Sequence, residues 1–91
     1  MQHNTDFAQL ADELKRLRVE LKVAAGNEDR DAEIGAVAAA ERAARDTDGR
    51  GVLENLARAG RWVLDIATGI GTPIASGAIK AALIAHGYPV A

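Results

Sequence analysis

No cysteine occurs in this 91-residue chain, which excludes both a disulfide framework and a thiolate zinc site. Neither kind of staple therefore compensates for small size. Aromatic residues are nearly as scarce, with one Phe, one Trp and one Tyr, too few to serve as stacking platforms for nucleic-acid bases. The single serine, Ser76, falls in an apolar stretch and reads as a helix back-bonder rather than a nucleophile. His3 and His86 lie near opposite ends of the chain, so no shared metal site is expected. No Gly-Lys-Ser/Thr occurs, which removes a phosphate loop. Gly69-Ile70-Gly71 is only a fragment of a dinucleotide fingerprint, since it follows a helical pattern and Ile74 stands where the third glycine belongs. The sequence thus points to no enzyme, no cofactor, no metal and no small-molecule substrate. Its first six residues carry no basic region followed by an apolar run, so no secretory signal is expected there and the cytoplasm is the default compartment.

What the chain does have is alanine, 20 of its 91 residues. Much of its 48% hydrophobic content is therefore methyl groups, which bury little of the area that drives folding at about 25 cal/mol per Å². A chain this short buries only about 60–65% of its unfolded surface, so the core is expected to be thin and self-association becomes the first suspicion. Charge is unevenly placed: residues 1–48 hold 11 acids and 7 bases, whereas residues 49–91 hold 2 acids and 4 bases. The two halves should attract each other, within or between chains.

Periodicity predicts an all-α fold in one helical domain over residues 1–91: a helical hairpin, a third helix kinked or broken near Gly69–Pro73, and a C-terminal segment. Together they make a three- to four-helix bundle completed by self-association. Asp6 and Gln9 form a plausible capping box, and Phe7, Leu10, Leu14, Leu17, Leu21 and Ala24 follow at heptad spacing. Helix 1 is accordingly expected over 6–25, closed by Gly26. Asn27 reads as the cap of helix 2, expected over 28–45 with Glu28, Asp29, Asp31 and Glu33 near its positive end. Asp48, Gly49 and Gly51 supply a second turn, and such short loops imply antiparallel neighbours. Helix 3, expected over 50–69, gathers Val52, Leu53, Leu56, Gly60, Val63, Ala67 and Ile70 on one face. Phe7, Leu10, Leu14, Leu17, Leu21, Leu56, Val63, Ile66 and Ile70 are the expected hairpin core.

Several apolar residues fall outside these stripes and are the candidate partner face. Val19 and Val23 lie opposite the leucines, among Asp12, Lys15 and Arg16; Ile34 and Val37 lie across helix 2 from the methyl-only face of Ala32, Ala36, Ala39 and Ala43. Small residues of that kind allow close helix approach. The expected partners are a second copy or another helical protein. Nucleic acid is not expected: Arg50, Arg58 and Arg61 share their face with Glu54 and Asp65, in a chain of net charge −2. Acidic residues of the first two helices are the anticipated partners of those arginines.

The stretch from Trp62 to Ala85 is interrupted only by Asp65 and Lys80. Its uncharged core, Ile66 to Ile79, falls short of the ~20 residues that a bilayer span needs. A rival reading remains, in which a membrane-docking protein inserts this segment, with Trp62 and Tyr88 as interfacial anchors. Gly69, Gly71, Thr72 and Pro73 form the expected hinge, with Thr72 as N-cap and Pro73 at the first helical position of a segment over 73–86. Two geometries follow. The segment either folds back over Val63, Ile66 and Ile70, or projects Ile74, Ile79, Leu83 and Ile84 toward another subunit or a bilayer.

Residues Ala38-Ala39-Ala40-Glu41-Arg42-Ala43-Ala44-Arg45-Asp46, then Asp48 and Gly51-Val52-Leu53, then Gly60-Arg61-Trp62-Val63-Leu64-Asp65-Ile66-Ala67, resemble small helical effector-associated modules of bacterial conflict and defence systems. Such modules pair a charged helical hairpin with a Gly/Ala-rich helix. The resemblance spans roughly residues 6–86 and implies a non-enzymatic self-assembly or adaptor role that couples a sensor to an effector. Pro73 departs from the more regular helix expected there.

Overall fold

The computed structural model describes residues 6–87, which form four helices and no strand. Helix α1 (Phe7–Ala25) starts where the Asp6 carboxylate accepts the Gln9 amide at 3.0 Å. Leu10, Leu14, Leu17 and Leu21 are fully buried along it. The stripe ends on Ala25 rather than Ala24, because a 3.6-residue turn carries the inward direction four positions past Leu21. Phe7 is half-buried and packs against the core.

Helix α2 (Asp31–Arg45) begins three residues later than its acidic run suggests. The N-cap position falls on Arg30, whose side chain makes no cap bond, and not on Asn27; the Asp29 carboxylate just before it accepts the Asp31 amide at 3.2 Å. Arg30 explains the delay. Its guanidinium bonds Glu28 at 3.3 Å and Glu33 at 3.0 Å, lies 4.6 Å over the Trp62 ring, and leaves its backbone outside the helix at φ −117°. Ala36, Val37, Ala40, Glu41, Ala43 and Ala44 are buried on α2. The helix packs against both α1 and α3, so its inward arc is wide enough to include Val37, which therefore belongs to the core and not to a partner face. Ile34 is half-buried at the edge of the same arc.

Helix α3 (Gly49–Gly69) is capped by the Asp48 carboxylate, which accepts the Gly51 amide at 3.0 Å. It is interrupted at Gly60, whose φ of 80° and ψ of −172° belong to no helix. This break is absent from the sequence expectation, which places Gly60 as a small residue on a continuous face; glycine is the residue that adopts such angles without penalty. Val52, Leu56, Ala57, Ala59, Val63, Leu64 and Ala67 are buried, while Ile66 and Ile70 are half-buried.

A tight corner follows. Gly71 takes φ +75°, and both the Thr72 amide (3.2 Å) and the Thr72 hydroxyl (2.9 Å) donate to the Ala67 carbonyl. Thr72 is thus bonded to the end of α3 instead of capping the next helix with its side chain. It is buried in the corner, and a buried hydroxyl takes the nearest open acceptor. Helix α4 (Pro73–Ala85) has Pro73 in its first turn, where no amide is needed. Its cap comes from elsewhere: Glu13 of α1 accepts the Ala75 amide at 2.9 Å. Ala75, Ile79, Ala82 and Leu83 are buried along α4, so Ile79 and Leu83 are core residues and not partner-face ones. Ile74 is half-buried against the same core.

The ion pairs Arg18–Glu41 and Asp12–Arg45 set α1 and α2 antiparallel, because residue numbers rise along one helix as they fall along the other. Helix α3 packs on α2 and α4, and α1 touches both α3 and α4 to close the core. The result is elongated, 45 × 26 × 21 Å.

Candidate interaction surface

Glu41 is the one charged residue on the inward arc of α2. Its carboxylate accepts hydrogen bonds from Arg18 and Arg45, each at 3.0 Å, and Arg45 also reaches Asp12 at 3.9 Å. Burial pushes this carboxyl up, but the bonds from Arg45 and then Arg18 outweigh it and hold the group below its ordinary value. Arg18, Ala38, Glu41, Arg42 and Arg45 line a shallow groove of about 350 Å³ between the two helices. Glu41 bonds one arginine from each helix there, so the cluster pins α1 to α2 and fixes their register.

The anticipated bridges from Arg50, Arg58 and Arg61 to the first two helices do not form among the described residues. Arg50 pairs with Glu54 one turn along its own helix, and Arg58 bonds Asn55; a neighbour three or four residues away is reached at less entropic cost than one on another element. Polar side chains that do reach across the two halves are instead Arg30, over Trp62, and Glu13, on the Ala75 amide. Neither is legible in the sequence, because nothing local signals a pairing across 32 or 62 positions.

Two apolar features face outward. Val19 (51% exposed) and Val23 (75%) lie one turn apart on the side of α1 turned away from the leucines. At the end of the bundle where α1 and α3 begin and α4 finishes, Phe7, Leu10, Val52, Leu53, Ala78 and Ala81 border a cleft of about 280 Å³, with Gly49 completing the lining. Ile84, 61% exposed, lies one turn past Ala81. Of the sequence-assigned partner face, then, the structure leaves Val19, Val23 and Ile84 outward, half-covers Ile34 and Ile74, and buries Val37, Ile79 and Leu83.

The chemistry available is sparse. Ser76 Oγ is buried and has no hydrogen-bond partner, so neither a base nor the expected back-bond engages it. Among the described residues no three His, Asp or Glu side chains gather as a metal site, and no helix is long and apolar enough to cross a membrane. His3 and Tyr88 lie outside the described residues. No protein-family model, no curated protein and no solved structure matches the chain.

Proposed function

We propose that this protein is a non-enzymatic helical interaction module that assembles with a second copy of itself and so acts as an adaptor. The observation that carries this reading is the Val19–Val23 strip. Two β-branched apolar side chains stand in solvent on the outer face of a helix whose inner face is already filled by leucines. Water contact at such a strip has an unfavourable free energy that a partner surface relieves, and the two side chains stand one turn apart on one face, as a helix–helix contact requires. The resemblance to defence-system modules suggests a setting for the assembly, in which one protein's state is passed to another through it.

Sedimentation velocity over a wide concentration range tests the reading. The wild-type chain is expected to sediment as a concentration-dependent dimer or larger species, and Val19→Lys/Val23→Lys as a monomer with the stability of the wild type to within about 0.5 kcal/mol. A compact wild-type monomer at the highest concentration would refute it.

A further inference from the structure

The two sides of the valine strip carry opposite charge. On an α-helix at 100° per residue, Val19 and Val23 centre a seam that continues back through Arg16 and Asp12. Lys15 and Lys22 flank it on one side and Glu20 on the other, all three exposed. Glu13 shares the acidic flank but is engaged with the Ala75 amide.

Resting on the self-association reading above, we propose that the strip pairs with the same strip of a second copy in a parallel, in-register, two-fold arrangement. The flanks decide the direction. When two identical helices pair antiparallel about a two-fold axis, each flank meets itself, so Glu20 would face Glu20 and Lys22 would face Lys22. When they pair parallel, opposite flanks meet, and Lys15 of each copy faces Glu20 of the other, five residues on. Val19 then packs on Val19 and Val23 on Val23. The layers before them hold Arg16 and Asp12: Asp12 is reached by Arg45 of its own chain at 3.9 Å, and the exposed Arg16 carries its guanidinium out of the seam into water. The seam from Asp12 to Val23 is about 17 Å long. Contact confined to that length belongs with the small, transient interfaces, so the dimer is expected to dissociate on dilution.

Two measurements test the arrangement. Since the chain has no cysteine, Val19→Cys and Val23→Cys are clean reporters. Each is expected to form a disulfide-linked homodimer on mild oxidation, and a mixture of the two is expected to yield no preference for the mixed dimer. Antiparallel pairing would instead favour the mixed Val19→Cys/Val23→Cys product. In sedimentation, Lys15→Glu and Glu20→Lys are each expected to weaken the dimer by about tenfold, and the double variant to restore it. Positions 15 and 20 are not neighbours on one helix, so the restoration arises only between copies. A dimer with no restoration, or with preferred mixed disulfides, overturns the parallel register and leaves self-association standing; a monomer throughout overturns both.

Discussion

Glu41 sits among alanines where a charge would ordinarily be unwelcome, and it stays ionised because Arg18 and Arg45 both donate to it. Its folded carboxyl lies below the ordinary value, so its stabilising contribution is fully present above the unfolded carboxylate pKa of about 4.3. That contribution is lost as pH falls through the lower folded value. Glu41→Gln is therefore expected to cost about 1–2 kcal/mol at pH 7, with the gap from wild type narrowing at pH 3, as read from urea unfolding at the two pH values. An unchanged gap would mean that Glu41 acts through shape and not charge. At this scale the sequence is legible where residues repeat and silent where they pair at a distance. Leu10, Leu14, Leu17 and Leu21 announce their burial by spacing alone, whereas the Arg18–Glu41 bond spans 23 positions with no local pattern to reveal it.

Among the elements, two glycines that each fall inside a helix have opposite roles. Gly60 has φ +80° and open space where a side chain would go, so Gly60→Ala is opposed by backbone strain alone, about 1–3 kcal/mol. Gly35 lies within α2, exposed and also with open space; Gly35→Ala is expected to stabilise by about 0.5–1 kcal/mol through helix propensity. Thermal unfolding of the two variants checks the contrast, and two shifts of the same sign would contradict it. Side-chain pattern cannot separate these positions, since the difference is one of backbone angle. The stop at Gly69 and restart at Pro73 are different, because proline's missing amide and glycine's tolerance of positive φ mark a corner in the sequence itself. The late start of α2 was hidden for another reason: Asn27 is a good cap by type, whereas the N-cap position falls on Arg30, whose guanidinium lies over Trp62, on another helix.

For the molecule as a whole, α4 completes the core. The helices before it bury nine leucine and valine side chains, and Ile79 and Leu83 add two more that are almost wholly enclosed. A chain ending at Gly71 would expose the face of α3 that α4 covers, and it is expected to lose cooperative unfolding by circular dichroism in urea; a sharp transition from the truncated chain would show that the first three helices suffice. The all-helical class was readable from periodicity, but which side of the last segment faces inward was not. Ile79, Leu83 and Ile84 are alike in type and sit within six residues of one another. Only the docking of α4 against α1 and α3 turns the first two inward and the third out.

The Glu13 carboxylate on the Ala75 amide also has a consequence in time. Successive helices are joined by three- to five-residue connections, so most docking is between sequence neighbours, the kind of topology that folds fast. The seam between α1 and α4 is the exception, with its ends 62 positions apart, and closing so long a loop costs entropy before any contact rewards it. That seam should form after the folding barrier has been crossed. Glu13→Ala is then expected to leave the refolding rate nearly unchanged and to speed unfolding about three- to sixfold, corresponding to the ~1 kcal/mol of a lost cap. Stopped-flow kinetics would show it in the unfolding arm alone, making this carboxylate a latch on the lifetime of the folded state rather than a guide to reaching it.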